Sequence, residues 1–207
     1  MSESASKSPT FWQRHWFTVL AALLGIAIVA VVGYSYWEKS RIPVLKTVSD
    51  FTLDNIDGSR FQLSRSNGKV RLVSFIFTHC PDICPATTRN MADLQDQLKA
   101  EGLFGEKVAF LTVSFDPERD TPDVLRKYAR AFDADPSGWY FLRGDEQAVK
   151  QVAKDFGVAV VKQPDGSYMH TTRIFLLDQD GNMRRIYGMA EEMNLEQIAA
   201  DIRQLAD

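Results

Sequence analysis

Cysteine is scarce in this chain: its 207 residues contain two, Cys80 and Cys84, and only three histidines, His15, His79 and His170. A single pair is too few for the disulfide framework of a small secreted domain, and it excludes a four-cysteine zinc site, which needs a second pair. A surplus of positive charge is missing as well. Lys and Arg total 24 against 27 for Asp and Glu, a formal net charge of -3, so nucleic acid is set aside as a partner. There are no internal repeats, and nothing suggests a second folded domain. With 45% hydrophobic residues, a chain of this length builds one well-packed domain plus an accessory segment.

The accessory segment is plain. From Trp16 to Trp37 no residue is charged and Val, Ala, Leu and Ile dominate, enough to cross a hydrocarbon core of about 30 Å. Trp12 and Trp16 at one end, and Tyr34, Tyr36 and Trp37 at the other, suit the two interfacial aromatic belts. The stretch is long for a signal peptide and runs into bulky residues without a small-x-small cleavage site, so a retained anchor over residues 16–37 is expected. No cysteine follows it to carry a lipid. Lys7 and Arg14 precede the span while Lys39, Arg41 and Lys46 follow it, so charge leaves the orientation open. Residues 1–15 read as a flexible tail, 38–48 as a tether containing Pro43, and 49–207 as the globular domain.

Within that domain, Phe51-Thr52-Leu53 and Arg60-Phe61-Gln62-Leu63 flank Asp57-Gly58, a hairpin signal. Val70 to Phe77 and Val108 to Ser114 are continuous apolar runs, the mark of strands buried on both faces. Met91, Leu94 and Leu98 recur at helical spacing between them, and Thr121-Pro122 opens a further helix through Val124, Leu125, Tyr128 and Phe132. Strand, helix, strand, helix is the run of a parallel α/β sheet. A short strand at Trp139 to Leu142, a helix from Asp145 to Phe156 and a hairpin across Gln163-Pro164-Asp165-Gly166 follow. A strand at Thr171 to Leu177, its partner at Met183 to Tyr187 and an amphipathic helix from Asn194 to Leu205 complete the domain.

The two cysteines sit where the first buried strand gives way to a helix. A helix N-terminus favours thiolate over thiol, so chemistry is expected there. Three residues separate them, which does not match the two-residue spacing of the thioredoxin redox motif. Two sulfurs on one side of such a turn can share a soft ion, of which Cu(I) is the softest common example, or close a disulfide. A disulfide serving only as a staple would close a tiny loop and add little stability.

The run Phe77-Thr78-His79-Cys80-Pro81-Asp82-Ile83-Cys84-Pro85, then Ser114-Phe115-Asp116-Pro117-Glu118-Arg119-Asp120-Thr121-Pro122, then His170 ahead of an apolar strand, resembles the Sco/SenC copper-chaperone family. The resemblance extends from about Phe51 to the C-terminus. It implies an α/β, thioredoxin-like fold with an N-terminal β-hairpin, preceded by a single transmembrane helix. It implies copper, as Cu(I) or Cu(II), held by Cys80, Cys84 and His170. It also implies delivery of that copper, taken from an upstream donor protein, to the CuA-type centre of cytochrome c oxidase subunit II. The tail would then lie in the cytoplasm and the domain on the periplasmic side of a bacterial-type inner membrane.

Other residues near the motif have plainer readings. His79, next to Cys80 on alternating backbone, is expected on the rim or at a partner contact rather than as a ligand. Asp116 is expected either beside the metal or at the partner surface, and Thr121 as a helix cap. Met169 is a candidate weak outer ligand; the other methionines read as core. Two functions compete on the same sulfurs. A copper chaperone needs His170, whereas a thiol-disulfide oxidoreductase that reduces the acceptor's cysteines does not. Peroxide reduction on a related fold is disfavoured, because the Pro-x-x-x-Thr-x-x-Cys pattern is not met at Cys80.

Overall fold

The computed structural model describes residues 11–40, 42–164 and 168–207, with side chains left out at 11–15 and 34–40. Residues 1–10 of the expected 1–15 tail and the turn residues Asp165 and Gly166 lie outside the described residues. The chain divides into two units, Met1–Ile42 and Pro43–Asp207. In the first, α1 (Phe11–Ser40) contains at Trp16–Gly33 a stretch long and apolar enough to cross a membrane. The helix starts before the expected tail ends and runs into the expected tether. Helix propagation is cooperative and meets no breaker until Pro43.

The second unit opens with β1 (Lys46–Thr47), β2 (Thr52–Asn55) and β3 (Arg60–Gln62), then β4 (Val70–Ile76) and α2 (Ile83–Ala100). Next come β5 (Val108–Ser114), α3 (Pro122–Ala131), β6 (Trp139–Arg143) and α4 (Glu146–Phe156). Then follow β7 (Val160–Lys162), β8 (Tyr168–His170), β9 (Arg173–Leu177), β10 (Asn182–Gly188) and α5 (Leu195–Ala206). The β2–β3 hairpin turns at Gly58, whose φ of 91° is a conformation that side chains resist. Thr121 caps α3 by accepting the Val124 N–H, and Pro122 stands at its first position.

Eight strands form one sheet in the order β1-β10-β9-β4-β5-β6-β2-β3. β4, β5 and β6 run parallel, whereas β9 and β10 form an antiparallel pair at β4's other edge. This is the thioredoxin-like α/β fold, carrying the β2–β3 hairpin on β6. Both faces are covered, so every residue of β4 and β5 is buried. Val73 and Phe75 pack with Phe156, Val149 and Phe175 on one face, while Val70 and Leu72 pack with Leu94, Leu98, Ile198 and Ile202 on the other.

Register decides where the loops meet. Ile76 pairs with Ser114, so the segments leaving β4 and β5 emerge side by side. Ser74 pairs with Ile174 on antiparallel β9, so the chain entering β9 arrives at that same end. His170 lies in that incoming chain, but not at the head of a strand starting at Thr171, as expected. It ends β8, which pairs with β7 in a separate two-stranded sheet, and β9 begins at Arg173. The expected hairpin is thus present, but it stands off the main sheet.

Candidate metal centre

Three segments converge at the carboxyl end of the parallel strands: the cysteine loop after β4, the Phe115–Thr121 loop after β5, and the β7–β8 hairpin. The cysteine loop turns through Cys80 N–H to Phe77 O, 3.2 Å, and feeds α2 at Ile83. Cys84 lies in the first turn of α2 and is fully buried, whereas Cys80 is half-buried at its mouth. Both are free thiols.

The first turn of a helix has N–H groups without intrahelical partners, and the Cys80 sulfur uses one, accepting the Cys84 N–H at 3.4 Å. The Cys84 thiol donates to the same sulfur and is the largest cause lowering the Cys80 pKa to about 5. The Asp82 and Cys84 N–H groups and the His170 charge add to it, against an opposing effect of burial. Donating to that sulfur, and being buried, push Cys84 far above the ordinary thiol range. One sulfur is a thiolate at neutral pH while the other keeps its proton. Below Cys84, its carbonyl accepts the Thr88 hydroxyl at 2.9 Å, and Thr88 meets Tyr128 of α3 at 2.9 Å.

His170 sits among aromatic rings. Its centroid is 5.0 Å from that of Phe115 and 6.2 Å from that of Phe77, and Tyr168 packs on both rings at 5.2 and 5.3 Å. Its Nδ1 lies 3.0 Å from the Thr171 carbonyl. A carbonyl only accepts, so Nδ1 carries a proton in this contact, which leaves Nε2 as the nitrogen to offer a metal. The imidazole is close enough to act on the charge of Cys80. Yet among the described residues no three His, Cys, Asp or Glu side chains are already gathered as a metal-holding group. The fold therefore brings the three expected ligands to one mouth and stops short of bonding geometry.

The neighbouring candidates separate clearly. His79 is exposed and meets Thr78 Oγ1 at 3.4 Å; β4 has ended by then, so a turn rather than strand alternation sends it outward. Met169 is 66% exposed. Strand alternation in β8 places it on the face opposite Tyr168 and His170, beside Val161, so an outer-ligand role has no support in the geometry. Met183, Met189 and Met193 are buried in the core.

Asp116 is fully buried, which removes it from any partner surface. Its Oδ1 accepts the Tyr168 hydroxyl at 3.2 Å, and Arg119 Nε lies 3.8 Å from Oδ2. Sequence reasoning gave Asp120, quoted in the motif, no part in the site. It too is fully buried, and it accepts from the Thr78 N–H, the Thr78 hydroxyl and the Ser114 hydroxyl. Burial raises its pKa. The aromatic bed was missed too, although Phe77 and Phe115 stand in the quoted motifs and Tyr168 lies two residues before His170.

A family model described as SCO1/SenC matches residues 40–207. The SCO1 protein homolog of Bacillus subtilis is 35% identical over 169 residues, covering 80% of this chain and 86% of that protein. The structure of Arabidopsis thaliana ScoI with copper bound is 30% identical and covers 76% of this chain and 99% of that one, with a TM-score of 0.66. BsSco, a member of the Sco family of cytochrome c oxidase assembly proteins with an identified disulfide switch, is 34% identical. That match covers 80% of this chain and 97% of BsSco, with a TM-score of 0.70. Fold, motif order and the span of the family model agree, and the chain belongs to the SCO1/SenC family.

Proposed function

We propose that this protein is a membrane-anchored copper chaperone acting in cytochrome c oxidase assembly, with Cys80, Cys84 and His170 as the copper ligands. The observation that carries the reading is the meeting of a half-exposed thiolate, a buried thiol and an Nδ1-protonated imidazole at one end of the sheet. Two sulfurs and one imidazole nitrogen form a soft donor set suited to Cu(I). Copper would displace the Cys84 proton, and the imidazole would swing in from its aromatic bed. Relatives with copper bound support the reading.

Copper passes to the acceptor by ligand exchange, each sulfur yielding in turn, so the ion is not set free. The acceptor we assign is the CuA-type centre of oxidase subunit II, with an upstream protein supplying the metal. The α1 helix anchors the domain on the periplasmic side, and tethering raises the effective concentration of donor for acceptor. A reporter fused after Asp207 that works only in the cytoplasm would overturn that sidedness. The test of the metal site is Cu(I) titration of His170→Ala. Affinity should fall by at least about tenfold, the loss of one good ligand; an unchanged affinity removes His170 from the site.

The inequivalence of the sulfurs favours a second reading, reduction of the acceptor's disulfide before metallation. Cys80 thiolate attacks one acceptor sulfur and releases the other as a thiolate. Cys84, losing its proton, then attacks Cys80, leaving a Cys80–Cys84 disulfide and a dithiol acceptor; two electrons have passed. His170→Ala should keep this activity while losing copper affinity, which separates the two readings.

A further inference from the structure

The loop after β5 touches both halves of the candidate centre through buried side chains. Asp120 binds the cysteine loop, with its carboxylate 3.2 Å from the Thr78 N–H and 2.5 Å from the Thr78 hydroxyl. Asp116 binds the hairpin, accepting the Tyr168 hydroxyl two residues before His170. The two carboxylates belong to one closed turn. The Ser114 hydroxyl donates to Asp120 and accepts the Asp116 N–H at 3.2 Å, and the Asp120 N–H returns to the Asp116 carbonyl at 2.9 Å. The Asp120 carboxylate is held by three donors. Buried Asp116 has the Tyr168 hydroxyl on Oδ1 and only Arg119, 3.8 Å away, near Oδ2, so loss of the tyrosine contact would leave a buried carboxylate poorly paired. Between the cysteine loop and the hairpin, the Phe77 ring packs on Tyr168 and His170, and ring packing tolerates sliding.

We propose that the Ser114–Asp120 turn is the positioning element of the centre, with Asp120 setting the cysteine loop through Thr78 and Asp116 setting the His170 hairpin through Tyr168. Neither carboxylate is a ligand; together they fix how far the imidazole stands from the sulfurs. This deepens the copper reading and rests on it for the role of His170, but the two handholds are separable and one of them is testable without metal.

The experiment compares Thr78→Val, Asp120→Asn and Tyr168→Phe in the full chain. In the absence of copper, the reduction potential of the Cys80–Cys84 pair is measured in glutathione buffers. Thr78→Val loosens the loop that holds the two free thiols and should shift the equilibrium about tenfold towards disulfide, roughly 30 mV more negative, and Asp120→Asn, which breaks the same contact, should also move the potential. Tyr168→Phe should leave the potential unchanged. With Cu(I), Tyr168→Phe should weaken binding about tenfold, as the loss of one hydrogen bond to a charged acceptor allows. In a His170→Ala background it should weaken binding no further.

An unmoved potential in both Thr78→Val and Asp120→Asn overturns the first handhold, and so does an equal shift in Tyr168→Phe. Full additivity of Tyr168→Phe with His170→Ala, or no effect of Tyr168→Phe, overturns the second. Should the parent protein take up no Cu(I), the copper reading fails, and amide hydrogen exchange then decides the second handhold. Faster exchange confined to 168–170 in Tyr168→Phe upholds it, and unchanged exchange there overturns it.

Discussion

The two ends of the central sheet solve the same problem differently. At the amino end of β4, Arg71 is fully buried, and its guanidinium donates to the carbonyls of Ser66, Lys69 and Gln179 and to Asn67 Oδ1. Burial lowers its pKa to about 10, still well above neutrality. At the carboxyl end the buried charges are carboxylates, Asp116 and Asp120, and they bind loops that bear the cysteines and the histidine. One end ties turns to one another and holds no reactive group. The other ties together segments that carry one. A buried charge is costly in either place, and what it secures decides whether the result is closure or a site.

Four changes sharpen this contrast. Cys84→Ser should have the largest effect, replacing a soft ligand by a hard one and weakening Cu(I) binding by more than about a thousandfold in a competition titration; retention of tight binding would detach the centre from this end. Arg71→Ala should act in the opposite sense, costing about 3 kcal/mol through unpaired buried carbonyls and a cavity, roughly 6–12 °C in Tm. Cu(I) affinity of the folded variant should stay as before, and a large loss of affinity would show the two ends to be coupled.

The third is a pH dependence. With the Cys80 pKa lowered to about 5, its thiolate persists as pH falls from 9 towards 5 and is lost only below that. Alkylation of the copper-free, reduced protein should therefore titrate near pH 5 at Cys80, while buried Cys84 stays unreactive. Cys84→Ala removes the donating group and should move that midpoint upward; a Cys80 midpoint near 9 in the parent would contradict the arrangement. The smallest effect belongs to Lys162→Met. It breaks the exposed Lys162–Glu118 pair between hairpin and loop, and exposed pairs contribute little. Melting and copper affinity should not change measurably, in contrast to Tyr168→Phe at the buried contact beside it.

Much of this molecule follows from local patterns. Unbroken apolar runs marked β4 and β5, the Asp57-Gly58 turn marked the first hairpin, and Thr121-Pro122 marked the start of α3. The cysteine turn was legible because its spacing and its place before a helix are both local. The ends of α1 were not, because the apolar run that marks the span stops short of the helix at both ends. The pairing of β1 with β10 was equally hidden, since two residues carry no periodicity.

Strand and helix identity, the anchor stretch and the sulfur pair are written in near neighbours along the chain, where side-chain period and backbone preference act. The carboxylate handholds, the aromatic bed under His170 and the burial that helps keep Cys84 protonated come from residues far apart in order. They exist only once the parallel register of β4 with β5, and the antiparallel register of β4 with β9, bring three loops to one end of the sheet. Burial and hydrogen bonding are properties of that meeting, and no single stretch of sequence carries them.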